Sequence, residues 1–519
     1  MTETNTLMEK LVSLCKRRGF VYQGSEIYGG LAGTFDYGPL GVALRNNIKN
    51  IWWKMFVDSR DDMYGLDAAI LMHPKVWEAS GHVSGFSDPM VECQNINCKD
   101  RRHRVDHLLA PEIYEEILRK LKSPEIVNEL VSKVSNEIAE LMPQDLPETY
   151  KGEGDFLTRK RTEEKIDEFQ SKVGIIMHTA LTVNKVKCPG CGQVNWGLPK
   201  QFNMMFQTQI GAAESSISYL RPETAGGIFV NFKNIVDSFH PKLPFGIAQI
   251  GKAFRNEIAP RDFIFRVREL EQMEVEYFVK PSDWEVKFEE WRQGIHSFVE
   301  AVGISKDAVH ELEVGDGDRA HYSKRTIDFE FDFPFGRKEL FGLAYRTDFD
   351  LTAHQTGSGQ NLKYAEEGQE AIIPHVIEPS LGVERTMLAV LSSAYCEDEQ
   401  NGEIRVFLKF KPAVAPIKVA VFPLLKNKPE LVEKAREIYV ALKKEIPQIM
   451  WDDNGNVGKR YRRQDEIGTP WCVTVDFDTL GENPEMLDTV TVRDRDTGTQ
   501  ERVAVSDLVQ MFKTQIQNS

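Results

Sequence analysis

Arginine and glutamate converge on one short stretch of this 519-residue chain. From Pro244 to Val279 the sequence PFGIAQIGKAFRNEIAPRDFIFRVRELEQMEVEYFV reads as two long strands joined by a loop that carries Pro260, Arg261 and Asp262. Side chains two apart share a strand face, so Arg255 and Glu257 project together from the end of the first strand. On the second, Phe265, Val267, Met273, Val275, Tyr277 and Val279 make a mostly apolar face. Arg266, Arg268, Leu270, Gln272, Glu274 and Glu276 make the other. Alternation alone describes a solvated sheet face equally well. The mixture of arginine and glutamate also suits a ligand with both phosphate and ammonium groups.

Four cysteines form a second chemical constellation: Cys93 with Cys98, and Cys188 with Cys191 in CPGCG. Both spacings fall in the range of structural zinc held by four thiolates. The pairs are about ninety residues apart, so four unrelated reduced thiols is the competing reading. A third is the basic run Lys459, Arg460, Tyr461, Arg462 and Arg463, which is either a solvated face or, with its interleaved aromatic, an RNA contact.

The elements that must position these groups divide the chain into regions. Its length implies two or three domains. Residues 1–91 and 201–412 carry the strands of one body. Residues 92–200 open and close with the cysteine pairs and hold charged amphipathic stretches, 111–121 and 124–142. From 413 onward the chain restarts as a small mixed α/β domain, with a buried strand in IKVAVFPL and a helix over 429–445 bearing Leu431, Ala435, Ile438 and Leu442 on one stripe. A hairpin turning at Asp496, Thr497 and Gly498 follows. The first twenty residues suit a short amphipathic helix and lack the features of a signal peptide. No apolar run is long enough to span a membrane, and the reduced cysteines fit a cytoplasmic protein. A net charge of −15 argues against non-specific coating of nucleic acid, while leaving room for RNA recognised by a local patch and by shape.

The hairpin, with Phe254-Arg255-Asn256-Glu257, resembles motif 2 of the class II aminoacyl-tRNA synthetases. VIEPSLGVERTML (376–388) resembles motif 3, and the helical and extended stretch of 39–81 resembles motif 1. SEIYGGLAGTFDYGPLG (25–41), PKVWEASGHVSGFSDP (74–89), RPETA (221–225) and GKRYRRQDEIGTPWCVTVDFD (458–478) are similar to the words of the homodimeric glycyl-tRNA synthetases. The resemblance runs over nearly the whole chain. It implies an α/β (α+β) fold: an antiparallel-sheet catalytic domain, an inserted helical, zinc-ribbon-like region, and a C-terminal α/β anticodon-binding domain. It also implies a homodimer that uses ATP, Mg2+, glycine and tRNA(Gly).

By the same resemblance, Arg255, Glu257 and Arg385 are the catalytic residues. Asn256, Phe265, Arg266, Leu270, Glu339, Leu340 and Gly382 join them around ATP, with Glu339 a Mg2+ ligand. Arg104, Glu223, Leu270, Glu271, Gln272, Glu274, Glu378, Ser380 and Gly382 surround glycine. Leu270 stands where the class usually has an aromatic platform for adenine. A synthetase for another small amino acid, or a non-catalytic relative, would share the architecture. The retained arginines and carboxylates favour a working, glycine-specific enzyme.

Overall fold

The computed structural model describes residues 6–98, 101–110, 113–114, 116–117, 173–211, 217–315, 319, 322–368, 370–400 and 402–519. The described residues form two compact units, Met1–Ser80 with Met205–Ser519, and Gly81–Met204. The expected amphipathic stretch 124–142 lies outside the described residues, as does most of 111–121, where 113–114 and 116–117 are helical.

A seven-stranded sheet organises the larger unit. Its order is Val309–Glu313, Arg325–Phe333, Gly336–Thr347, His375–Gly382, Glu269–Val279, Phe245–Phe254 and Met63–Gly65. The pairings are antiparallel except for the edge pair of Met63–Gly65 with Phe245–Phe254. In the hairpin, Leu270 opposes Ala253 and Glu274 opposes Gln249. On its other side Glu274 opposes Ser380.

Strand alternation sends Met273, Val275 and Tyr277 into the main core with Leu381, Ile377 and Leu343. The helices Pro39–Trp53, Trp284–Ala301 and Val383–Ala394 close that face through Trp52, Trp291, Phe298 and Met387. Phe298 lies between Phe56 and Phe341, with ring centroids 6.0 and 6.1 Å away. The opposite face of Glu269–Val279 is not solvated. Gln272, Glu274 and Glu276 are all buried, because the chain 218–239, ending in the helix Ala225–Phe239, packs over that face of the sheet.

The helix Leu7–Arg18 begins with a capping box in which Thr6 and Glu9 satisfy each other's backbone amides. Toward the C-terminus, a five-stranded sheet runs in the order Ile449–Trp451, Val419–Pro423, Trp471–Val475, Thr489–Asp494 and Gln500–Ala504. The helix Pro429–Glu445 buries the expected Leu431, Ala435, Ile438 and Leu442 against it. Asn47, buried in the helix Pro39–Trp53, donates its amide to the carbonyls of Val414 (3.0 Å) and Ala415 (2.9 Å) and accepts from Gln448 (2.8 Å).

The basic run corrects the sequence reading. It lies on the helix Val457–Ile467, where successive residues point about 100° apart, so five consecutive side chains cannot share one face. Arg460 is buried, and its guanidinium donates to the carbonyls of Pro423, Asp453 (3.2 Å) and Gly455 (2.7 Å). Tyr461 packs on Phe422 and hydrogen-bonds Thr474 at 2.7 Å. Arg463 is paired with Asp452 at 2.7 Å, and Arg462 lies 3.6 Å from Glu403. Lys459 alone of the five is exposed. Arg460 is thus taken up inside the domain, while Tyr461, Arg462 and Arg463 remain partly exposed.

Phe298→Ala should cost about 3–5 kcal/mol, the usual penalty for emptying a buried aromatic site, and lower the thermal unfolding midpoint of the protein. Phe239→Ala, at a 60% exposed position, should leave the midpoint almost unchanged.

Candidate active site

A cleft opens at the ends of the strands Phe245–Phe254, Glu269–Val279 and His375–Gly382. It is lined by Arg255, Glu257, Phe265, Arg266, Val267, Leu270, Gln272, Glu339, Leu340, Ser380, Gly382, Glu384 and Arg385. Most of the ATP and glycine residues expected from the sequence therefore meet in one place. Arg255 follows directly on its strand and donates from Nε to the Pro222 carbonyl at 3.1 Å. The return of the loop is pinned by the Arg255 amide on the Arg268 carbonyl (2.9 Å) and by Arg268 Nε on the Glu257 carbonyl (3.0 Å).

Arg385 stands in the first turn of the helix Val383–Ala394, whose N-cap is Gly382. Its guanidinium pairs with Glu339 at 3.0 Å and lies 4.6 Å over the Phe265 ring. Phe265 is itself braced by Phe333 and Phe335. The arginine end of the cleft thus joins one aromatic face to Leu270 and to the orphan amides of a helix N-terminus. Asn256 follows Arg255 without lining the cleft.

Away from that end, carboxyls crowd one sheet face. Glu274 accepts from Ser380 (2.7 Å), from Gln272 (3.3 Å) and from the Thr224 hydroxyl. Burial, reinforced by the Glu223 charge, raises its pKa above the usual carboxylate range. Glu378 accepts from Arg346 at 2.8 Å, yet burial pushes its carboxyl up to about 8 against that guanidinium, with Glu274 and Glu223 adding to the rise. Glu276 is fully buried, and neither of its carboxylate oxygens has a hydrogen-bond partner among the described residues. Burial and the neighbouring Glu378 hold it well above its ordinary value. Gln272 lines the cleft, and its Oε1 is likewise buried with no hydrogen-bond partner among the described residues.

Arg346 was not singled out by the sequence and is central here. It is buried between Asp350 (2.7 and 2.8 Å) and Glu378, under the Tyr322 ring at 3.9 Å. Its Asp350 partner stands four residues on, but across the junction of the strand Gly336–Thr347 and the helix Phe349–Ser358, so no helical spacing flags the pair. Thr224 and Glu384 were missed as well. Glu384 accepts from Arg45 (2.8 Å), from Tyr37 (3.4 Å) and from the Glu271 amide (2.8 Å), bracing the helix that carries Arg385.

Two expectations fare differently. Glu271 is corrected: its carboxylate turns to the opposite face, where Arg45 (2.8 Å) and Lys49 (3.1 Å) hold it, as the parity of a strand demands. Arg104 lies in the smaller unit, where it pairs with Asp88 at 2.6 Å.

In that smaller unit the sulfurs of Cys93, Cys98, Cys188 and Cys191 all lie within 4.8 Å of one another. The Cys93–Cys191 and Cys98–Cys188 separations are both 3.7 Å. A tetrahedron of thiolates about 2.3 Å from zinc has edges of about 3.8 Å, so the donor set fits that ion. The knuckle is shaped by the Gly192 amide on the Cys188 carbonyl (2.7 Å) and the Cys188 amide on the Gln193 carbonyl (2.9 Å).

Residues 206–394 match the family model described as the tRNA synthetase class II core domain (G, H, P, S and T), and residues 418–515 match the anticodon binding domain. Among curated proteins the chain is similar to the glycine–tRNA ligase of Deinococcus radiodurans, 48% identical with 97% of this chain and 98% of that protein covered. It is similar to that of Thermus thermophilus at 45% identity, covering 96% and 97%, and to that of Lachnospira eligens at 46%, covering 98% of each.

Replacing Arg346 with Met removes the one guanidinium shared by Asp350 and Glu378 and leaves buried carboxyls uncompensated, at a cost of about 3–5 kcal/mol. Because the Glu378 carboxyl already sits near 8, the loss should be smallest near pH 5, where protons replace the cation, and grow as pH rises through 8. Denaturant melts at a series of pH values check both the size and the slope.

Proposed function

This chain belongs to the glycine–tRNA ligase family, and from that membership we propose that it joins glycine to ATP and passes the glycyl group to tRNA(Gly). The observation that carries the reading is one cleft lined by Arg255, Arg266 and Arg385, whose lining residues Ser380 and Gln272 hydrogen-bond the buried Glu274. The glycine carboxylate attacks the α-phosphorus, an oxygen–phosphorus bond forms in line, and pyrophosphate leaves. Both reactants are anions, so the protein must supply positive charge and alignment, and no general base is needed. Arg255 bridges the attacking carboxylate and the α-phosphate through its planar fork. Arg385 and Arg266 clamp the distal phosphates, and Arg385 with Phe265 and Leu270 bounds the adenine, whose amino group faces Glu257. Mg2+ on the phosphates would find oxygen donors at Glu339. In the second step a ribose hydroxyl of the tRNA attacks the glycyl carbonyl and AMP departs.

Selection of glycine rests on exclusion. A pocket gains only about 1–3 kcal/mol per methylene, and added contacts cannot favour the smaller substrate. Glu274, fixed by Ser380, Thr224 and Gln272, fills space that a β-carbon would need. Together with Glu223 and Glu378 it receives the ammonium. An incoming cation favours the ionised form of a carboxyl raised to about 8. Glycine binding at pH 7 should therefore release a proton, and its KM should fall from pH 6 to pH 8.

The finer assignments complete the reading. The catalytic body comprises 1–91 and 201–412, the insertion 92–200, and the anticodon-binding domain 413–519. Zinc binds the four thiolates as a structural ion. The helix Pro39–Trp53 and the edge strand Met63–Gly65 build a homodimer, and the enzyme works in the cytoplasm. Lys459, with the partly exposed Arg462 and Arg463, is the part of the basic run available to the tRNA.

Pyrophosphate exchange measured with each of the twenty amino acids tests the central reading. Glycine alone should support it, and Arg255→Ala should lower it about 100-fold or more with folding intact. Calorimetry in two buffers of different ionisation heat should detect the proton released with glycine, and Glu378→Gln should abolish the release. Metal analysis should find about one zinc per chain, lost in Cys188→Ser, with charging reduced more than exchange. Exchange supported by alanine, or sedimentation as a fully active monomer, would contradict the corresponding assignment.

A further inference from the structure

The loop 24–34 presents bulky apolar side chains to solvent from a rigid frame. Ile27 is 89% exposed, Tyr28 88% and Leu31 55%. Ile27 and Tyr28 sit in a single 3-10 turn, Glu26–Tyr28. Around it the backbone is closed by the Gly30 amide on the Ser25 carbonyl (3.2 Å), the Leu31 amide on the Gly24 carbonyl (3.1 Å) and the Gly24 amide on the Thr34 carbonyl (3.0 Å). Gln23 donates across the loop to the carbonyls of Leu31 (2.8 Å) and Thr34 (3.0 Å). Ser25, Gly29, Gly30 and Gly33 all hold left-handed backbone conformations, so the tip is shaped by its backbone and not by burial of its side chains. Ordering a loop to display apolar groups is costly in conformational entropy, and it preorganises a contact with something outside the unit.

The loop is continuous with the cleft. The Arg268 amide donates to the Gly33 carbonyl and its guanidinium to the Ala32 carbonyl, each at 2.7 Å. Phe35 meets Phe263 edge-on at 5.3 Å. A Cβ on Gly33 would come within 2.5 Å of Pro260, so loop 24–34 lies flat against the arginine-bearing loop that enters the cleft. On that neighbouring loop the Arg261 side chain is 55% exposed.

We propose that Tyr28, with Ile27 beside it, is a stacking platform for the unpaired 3′-terminal nucleotides of the tRNA on their way to the cleft. The proposal rests on the tRNA-charging reading above and adds the residues that receive the single strand. Bases present π-faces to an exposed tyrosine regardless of sequence, and the exposed Arg261 of the neighbouring loop offers a cation to a phosphate. The frame of the loop is bonded to Arg268 and packed on Pro260, in the segment that leads into the cleft, which favours a nucleic-acid end over a second copy of the chain.

Tyr28→Ala should raise the KM for tRNA in glycine charging about ten-fold, in keeping with the loss of one stacked base, and leave glycine-dependent pyrophosphate exchange and sedimentation unchanged. Tyr28→Phe should restore charging, because the ring face and not the hydroxyl makes the contact. An unchanged KM in Tyr28→Ala overturns the platform, and so does a parallel loss of exchange, which would make the loop a support of the cleft. A shift toward smaller species in sedimentation overturns it in favour of a second copy. Absence of glycine charging in the unsubstituted protein overturns the functional reading itself, so the two failures are distinct.

Discussion

One guanidinium compensates several buried carboxyls on one face of a sheet, and much of the larger unit is arranged around that imbalance. Arg346 reaches Asp350 and Glu378 directly, while Glu274 and Glu276 sit within range of the same charge. Removing carboxyls from water with too few cations raises their affinity for protons. The strand pairings that put Glu274 beside Ser380 and Gln249, and Ala344 beside Glu378, must be held rigidly for the cluster to stay dry and unrelaxed. The aromatic and aliphatic core on the reverse face supplies that rigidity. The deficit of positive charge is then available to a cationic ligand.

The two faces of Glu269–Val279 divide the work at single-residue resolution. Gln272 lines the cleft and donates to the buried Glu274, whereas Glu271, between Leu270 and Gln272, turns back to Arg45 and Lys49 on the helix Pro39–Trp53. The Glu271 amide also fixes Glu384, the residue just before Arg385. The phosphate end of the cleft is thereby tied, through one side chain, to the helix proposed to face the partner subunit. That arrangement uses backbone and side chain of the same residue for different tasks.

The hairpin and the meeting of Arg255, Phe265, Glu339 and Arg385 were legible because period-two alternation and motif order specify a strand pair and a helix start, although the second strand begins only at Glu269 and leaves Phe265 to Arg268 in the loop. What escaped was set by three dimensions. Arg346 draws its importance from partners on two different elements, and Thr224 from a hydroxyl brought under Glu274 by the chain before the helix Ala225–Phe239. The sequence could mark Glu276 as part of a polar row, but not that the row would be covered. The basic run failed for the converse reason. Read linearly it is a dense patch of charge, but wound into a helix it becomes an internal clasp at Arg460, with Lys459 exposed and Arg462 and Arg463 half-buried. The cysteine pairs could be matched by spacing, while the 3.7 Å sulfur separations needed the fold.

The amide of Asn47 carries a consequence for how this chain can be divided. It ties the helix Pro39–Trp53 to the carbonyls at 414 and 415 and to Gln448. Arg495 adds bonds of 2.8 Å to the carbonyls of Phe410 and Gly468. Severing the chain near 412 would strip partners from buried polar groups on both sides, each at a cost of about 1–3 kcal/mol. The boundary so plain in the sequence is therefore a welded seam. Swapping or trimming the C-terminal domain would require rebuilding a joint that neither half can satisfy alone.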